Sequence, residues 1–222
     1  MNTFLFFFLC FGYICLLIWG IILSRNHSLF NITNVLLLVI IGLLYDNLII
    51  ASGKFIGEGN TLESLSFIRY WLHALFTTTL ILFAWNVFFN TSFPWAKNTL
   101  WKVIASLMTI GLIIYELLAS VKGLILEPVW KSGVLTYESM GESTSPFMVI
   151  LITIVLGIVG ILLIMKFRFF WLFIGTIVMT AGSILAIWIK ISPIMNVSEF
   201  LLLVSTLLTK QFIIKLPDNH VD

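Results

Sequence analysis

Five ionisable side chains stand inside or beside otherwise apolar runs of this chain: Asp46, Arg69, His73, Glu116 and Glu199. An isolated charge at the centre of a bilayer costs roughly 2.5–3.5 kcal/mol on insertion scales, so such side chains are expected to pair, to line a cavity, or both. Arg69 and His73 are four apart and share one helical face, which Thr77 extends by a further turn. A guanidinium, an imidazole and a hydroxyl opposite carboxylates would hold the polar group of a ligand. In a catalytic version Asp46 or Glu116 is the general acid and the other is its base or electrostatic partner, while His73 orients the ligand or relays a proton. Arg69 then fixes the ligand's polar group. Tyr45 and Tyr115, each adjacent to an acid, donate hydrogen bonds into the cavity, and Glu199 stands at its rim. Two alternatives stay open: a salt-bridge network that ties helices together, and, for the tyrosines, an interfacial aromatic belt.

Glu58 and Glu63 complete the ligand-binding candidates. They belong to the segment ASGKFIGEGNTLESLS (51–66), whose Gly53, Gly57 and Gly59 permit a tight path back toward the bundle mouth. An ordinary solvated loop explains the same residues.

The elements that must carry these groups follow from composition. Of 222 residues 60% are hydrophobic and 10% charged, against about 25% charged in a soluble domain. So few polar side chains cannot cover a soluble globule. The apolar residues form seven blocks, 3–23, 32–50, 67–89, 100–121, 147–165, 169–189 and 197–216, each near the roughly 20 residues that a helix needs to cross a bilayer. Runs such as 35–44 and 149–164 are apolar on every face, which excludes the alternation of a β-barrel, and an open sheet in lipid would leave edge amides unpaired. The expected fold is therefore an all-α integral membrane protein, one domain over 1–222, built as a seven-transmembrane-helix bundle. Block one has no preceding basic residue and no small-x-small site before Ser24, so it is read as a span rather than a signal peptide. Prolines fall between the blocks, which predicts unbroken, fairly rigid helices. Gly157 and Gly160, with Gly175, Ala181, Gly182, Ser183 and Ala186, predict close packing across the turn between blocks five and six.

Seven basic residues (Arg25, Lys97, Lys102, Lys166, Arg168, Lys210, Lys215) fall on one side and five (Lys54, Arg69, Lys122, Lys131, Lys190) on the other. The first group flanks short turns that are poor in acids, so the amino terminus is expected outside and the carboxyl terminus in the cytoplasm of a cell membrane. The outer connections, 51–66 and 122–146, are long, contain glycine and are rich in glutamate, including Glu127, Glu138 and Glu142. Loops of that length in a compact bundle are often functional. Counting from the block ends at 1.5 Å per residue puts Asp46 about 6 Å, Glu116 about 7–8 Å, Arg69 and Glu199 about 3 Å and His73 about 9 Å below the outer boundary. All five share the outer third.

Other chemistry is excluded or unmotivated. His27, His73 and His220 fall in three separate places, so no three-histidine metal site of the ceramidase kind is expected, and there is no H-E-x-x-H, G-x-S-x-G, P-loop or dinucleotide fingerprint. No cofactor is predicted. A lysine in the seventh block, Lys210, invites comparison with retinal-binding rhodopsins, but block three carries no Asp or Glu counter-ion; Lys210 is expected to snorkel as an end anchor. Cys10 and Cys15 read as core or lipid-facing residues. A net charge of +2 supplies no basic surface for nucleic acid. Twenty Phe and eight Trp admit carbocation chemistry, and an acid in span two with another entering span seven resembles the layout of membrane-embedded terpene cyclases. That resemblance, carried by Asp46 and Glu199 and the span count, implies a buried acid that protonates an alkene or epoxide.

The expected function is a small membrane enzyme or binding protein for a lipid or isoprenoid-like amphiphile, the partner being a membrane lipid or hydrophobic small molecule. A proton-coupled carrier and a structural subunit that binds a partner protein or forms an oligomer are the alternatives. The topology is checked by cysteine labelling at Gly59 and Pro217. An impermeant reagent applied to intact cells should modify only Gly59→Cys; modification of Pro217→Cys instead would reverse the orientation.

Overall fold

A computed structural model describes residues 2–25, 32–91, 98–131, 133–140, 147–189 and 193–216. His27, Lys97, Glu142, Lys190, His220 and Pro217 lie outside the described residues. The chain is nearly all helical. In order it forms α1 (Asn2–Arg25), a 3₁₀ turn (Ile32–Asn34), α2 (Val35–Ile56), α3 (Asn60–Phe76), a second 3₁₀ turn (Thr77–Thr79), α4 (Leu80–Asn90), α5 (Thr99–Glu116) and a π-helical turn (Leu117–Val121). Strands β1 (Leu126–Lys131) and β2 (Val134–Ser139) follow, then α6 (Phe147–Phe167), α7 (Trp171–Ile189) and α8 (Pro193–Ile214). Among the described residues six helical segments are long and apolar enough to cross a membrane, α3 and α4 counting as one over Asn60–Asn90 and α5 running on through Val121; α7 adds a shorter apolar stretch, Trp171–Ala186.

The expected blocks fall on helices, but the helices overrun them. The anticipated long loop 51–66 is replaced by the ends of α2 and α3, joined through Gly57, Glu58 and Gly59. Gly57 and Gly59 take φ of 82° and 150°, conformations that side-chain-bearing residues rarely adopt, and this lets the chain reverse in three residues. Hydropathy marks where apolar side chains stop, whereas helical hydrogen bonds continue into polar sequence such as Asn60-Thr61-Leu62-Glu63.

The expectation of uninterrupted helices is also corrected. No proline is needed to perturb the third span, because Thr78 Oγ1 donates to the carbonyls of Ala74 and Leu75 and Thr79 Oγ1 to that of Phe76. Threonine hydroxyls that compete for the same carbonyls as backbone amides tighten or bend a helix, and here two such hydroxyls, Thr78 and Thr79, coincide with the 3₁₀ turn Thr77–Thr79. In the next span the Lys122 amide reaches back five residues to the Leu117 carbonyl at 2.8 Å, closing the π turn directly after Glu116.

The second long connection folds into a β-hairpin, which the all-α expectation did not contain. The strands pair antiparallel from Leu126 with Ser139 to Lys131 with Val134. β1 is largely exposed and accommodates Pro128, as an edge strand can, while Val134 to Tyr137 of β2 are buried. Leu126, Leu135 and Tyr137 close a small apolar cluster with Ile49 of α2 and Leu62 of α3. The approach is close enough that a Cβ on Gly53 would lie 1.9 Å from the Leu135 carbonyl oxygen.

Small residues set the helix layout. Gly160 packs on the Phe173 backbone, where an added Cβ would meet atoms at 2.8–3.0 Å, as expected of the α6–α7 turn. Gly175 and Gly182, in contrast, face α8: an added Cβ would sit 1.9 and 1.8 Å from the hydroxyls of Ser205 and Ser198. α7 is thus seated along α8 through both glycines and meets α6 closely near the turn. Lys210 corrects another expectation: rather than snorkelling, it is 1% exposed, and its ammonium donates to Ser24 Oγ at 2.8 Å and Asn34 Oδ1 at 2.7 Å. It ties α8 to the ends of α1 and α2.

Two glycines test this packing. Gly53→Ala should lower thermal stability by about 1–3 kcal/mol, the usual cost of overpacking, because the obstacle is a strand carbonyl rather than a movable side chain. Gly111→Ala, with no atom within 4 Å of the added Cβ, should leave the melting temperature unchanged or raise it slightly. Equal losses for both would refute the close hairpin contact.

Candidate functional site

A cavity of about 740 Å³ lies at the hairpin end of the bundle, and Asp46, Arg69, His73, Glu116 and Glu199 all line it. They are held by α2, α3, α5 and α8. The helical i, i+4 spacing puts Arg69 and His73 on one face, and Thr77 Oγ1 lies 3.4 Å from His73 Nδ1 one turn further on. Glu199 is not at the entrance of its span: α8 begins at Pro193, six residues earlier, so Glu199 lies about 9 Å along the helix. It also borders, with His73 and Thr77, a small void of about 30 Å³ that lies next to the cavity.

The five groups divide by their partners. Arg69 Nε donates to Asp46 Oδ1 at 2.7 Å and Arg69 Nη1 to Thr136 Oγ1 at 2.8 Å. The other Asp46 oxygen accepts from Asn196 Nδ2 at 3.2 Å. One guanidinium and one carboxylate therefore join α2, α3, α8 and β2, with both oxygens of Asp46 engaged. Glu116 is different. Its Oε1 accepts from Ser120 Oγ at 2.6 Å, within the π turn, whereas Oε2 is buried with no hydrogen-bond partner. Glu199 makes no hydrogen bond or ion pair among the described residues.

The remaining predicted residues play other parts. Tyr45 donates to the Leu65 carbonyl at 3.1 Å, bridging α2 and α3, and is not among the cavity-lining residues. Tyr115 packs edge-on against Phe147 with ring centroids 5.1 Å apart and likewise does not line it. Glu58, in the short reversal, accepts from Trp130 Nε1 at 3.0 Å, and Glu63 is exposed in the first turn of α3, favourably placed near the helix N-terminus. Neither reaches the cavity. Glu138 does line it, but is ion-paired to Lys131.

Sequence reasoning missed several lining groups. Asn196 and Thr136 complete the Asp46–Arg69 arrangement, and Tyr70, whose hydroxyl accepts from the Ser139 amide at 3.1 Å, contributes to the wall. Thr153 of α6 with Thr180 and Ser183 of α7 add hydroxyls. A count of neutral polar residues on the faces of blocks five and six would have found Thr153, Thr180 and Ser183; Asn196 lies one residue before block seven, and Thr136 and Tyr70 depend on the hairpin. The other wall is apolar, formed by Met148, Val149, Ile150, Ile154, Ile184 and Met195. Such a surface accepts a molecule with one polar end and one apolar end. Among the described residues no group of three His, Cys, Asp or Glu is arranged to hold a metal ion.

No family model, curated protein or solved structure matches the chain.

The split between engaged and disengaged acids gives opposite mutational outcomes. Asp46→Asn should weaken a partly buried, charge-assisted hydrogen bond to Arg69 and lower stability on the order of 2 kcal/mol. Glu116→Gln keeps an acceptor for Ser120 and removes a carboxylate oxygen that has no partner, so its melting temperature should match or exceed that of the parent. Unfolding measurements in nanodiscs separate these; equal losses in both variants would make Glu116 part of the structural network.

Proposed function

We propose that this chain is a seven-span protein of the cell membrane, amino terminus outside, that binds a lipid or isoprenoid-like amphiphile through a polar cavity opening into the outer leaflet. The observation that carries this reading is the mixed lining of the cavity: charged groups from α2, α3, α5 and α8, and branched aliphatic residues of α6 and α7 interspersed with the hydroxyls of Thr153, Thr180 and Ser183. Its volume of about 740 Å³ lies in the range of small-molecule sites, roughly 300–1,000 Å³.

A route from the bilayer is part of the proposal. α7 stays on α8 through Gly175 and Gly182, while its closest glycine contact with α6 is at Gly160 near the turn. Further toward the hairpin, residues of both helices line the cavity, and Ile154 and Ile184 on its edges are 54% and 52% exposed on the surface that faces lipid in this reading. An acyl or isoprenyl chain would pass between α6 and α7 with its polar end leading. Glu116 and Glu199, not Asp46, are the acids with capacity left for that end. In a catalytic version Glu116 is therefore the proton donor, with His73 as relay and the Asp46–Arg69 pair as fixed scaffold.

Thr180 lines the cavity and is exposed, so Thr180→Trp should obstruct the cleft without disturbing the core. Gentle extraction followed by native mass spectrometry should find an amphiphile retained by the parent chain and lost from the variant, at unchanged melting temperature. Retention at equal stoichiometry in both would overturn the cleft as the route, and a parent chain that retains nothing would overturn the binding function.

A further inference from the structure

The charge balance of the cavity narrows its ligand. Among the described residues Arg69 is the lone permanent cation on the wall, and it is spent on Asp46. Glu138 is matched by Lys131. Glu116 and Glu199 remain. Glu116 is 6% exposed, and its Oε2 is an acceptor without a donor; Glu199 has neither a hydrogen bond nor an ion pair among the described residues. A buried carboxylate oxygen left without a donor is costly, and the cost is relieved when a ligand brings N–H groups and positive charge. An anionic head group would add repulsion, and a single alcohol would offer one donor to two acids.

We propose that the ligand is a long-chain amine: an amphiphile whose protonated, N–H-bearing head group is held between Glu116 and Glu199 while its chain lies along the apolar wall of α6 and α7. This rests on the amphiphile-binding reading above and adds the sign of the head group. Glu116 and Glu199 come from helices α5 and α8, so the ammonium bridges elements that share no direct ion pair among the described residues. The hydroxyl of Thr153 or Ser183, on the same wall, accepts the remaining N–H donor.

The test uses three chain-matched photoreactive probes, hexadecylamine, hexadecanol and hexadecanoate carrying a diazirine near the head group. Each is placed at equal mole fraction in phosphatidylcholine nanodiscs that contain the full chain. After photolysis, labelled peptides are mapped. The amine should label the cavity-lining segments of α6, α7 and α8 about tenfold more than the alcohol, the ratio expected for one charge-assisted hydrogen bond over a neutral one, and the carboxylate least. In Glu116→Gln/Glu199→Gln the amine's advantage should vanish while alcohol labelling persists. Equal labelling by alcohol and amine, or stronger labelling by the carboxylate, would overturn the ammonium assignment and leave amphiphile binding standing. Absence of cavity labelling by all three would overturn both. Displacement of the amine probe by butylamine as readily as by hexadecylamine would place the ligand in water and overturn the lipid-like chain. Should the double variant fail to fold, the ranking in the parent chain still decides, and Glu116→Gln alone must lower amine labelling severalfold; unchanged labelling there refutes the role of Glu116.

Discussion

A charge held among apolar helices must be matched, and the match between Asp46 and Arg69 is the constraint around which the hairpin end of this bundle is organised. The pair is 2.7 Å apart at one carboxylate oxygen. That oxygen uses Arg69 Nε, the second oxygen uses Asn196, and another guanidinium nitrogen uses Thr136. Satisfying the ions therefore requires α2, α3, α8 and β2 to be present together. The hairpin is not a free loop laid over the bundle: besides Thr136, the Ser139 amide is held by Tyr70 and the strand carbonyl of Leu135 lies against Gly53. Buried ion pairs give little stability over apolar packing. What this one supplies is geometry, because its partners cannot be met in another arrangement of those four elements.

The cavity follows from a second constraint. Between helices in lipid the hydrophobic effect provides no drive, so close packing of small residues and interhelical hydrogen bonds decide which helices touch. Gly175 and Gly182 sit against serines of α8, while Gly160 sits against the start of α7. A helix held closely along one neighbour and gripped near one end by another leaves a space at its far end. The space is bounded by Thr153, Ile154, Thr180 and Ile184, and at the hairpin end of α6 the Tyr115–Phe147 contact fastens that helix to α5 instead. The part of the cavity lined by α6 and α7 lies away from these glycine contacts.

Much of this was legible in the amino-acid sequence, and the losses have identifiable causes. The seven apolar blocks correspond to helical segments because a run of about 20 residues apolar on every face is a signal that survives averaging over a window. Their ends were misplaced because helical hydrogen bonding does not stop where hydropathy does, so α2 and α3 extend through what read as the loop 51–66. The hairpin was invisible for the opposite reason: its six-residue strands carry Pro128 and two glutamates, and their burial pattern depends on α2 and α3 rather than on their own periodicity. Asp46, Arg69, His73, Glu116 and Glu199 were found by depth alone and all line one cavity. Depth does not say which acid is engaged. That required Asn196 and Thr136, neutral residues whose importance lies in where the chain brings them. Tyr45 and Tyr115 show the limit of adjacency: neighbours in sequence to the acids, on a helix they point elsewhere.

Lys210 and Glu116 show how the same physical problem has two solutions in one molecule. Each is a buried ionisable side chain without an oppositely charged partner among the described residues. Around Lys210 the chain supplies two neutral acceptors, Ser24 Oγ and Asn34 Oδ1, and the residue is 1% exposed within packed helices; the charge is absorbed by the fold. Around Glu116 the chain supplies one hydroxyl and stops, leaving Oε2 without a donor at the edge of a large cavity. If both were structural, the cheaper arrangement for position 116 would be an apolar residue, as at neighbouring Leu112, or a second donor like Asn196. The contrast separates a polar group that the fold satisfies for itself from one that the fold leaves short of a donor, and the second borders the cavity on which the amphiphile-binding proposal rests.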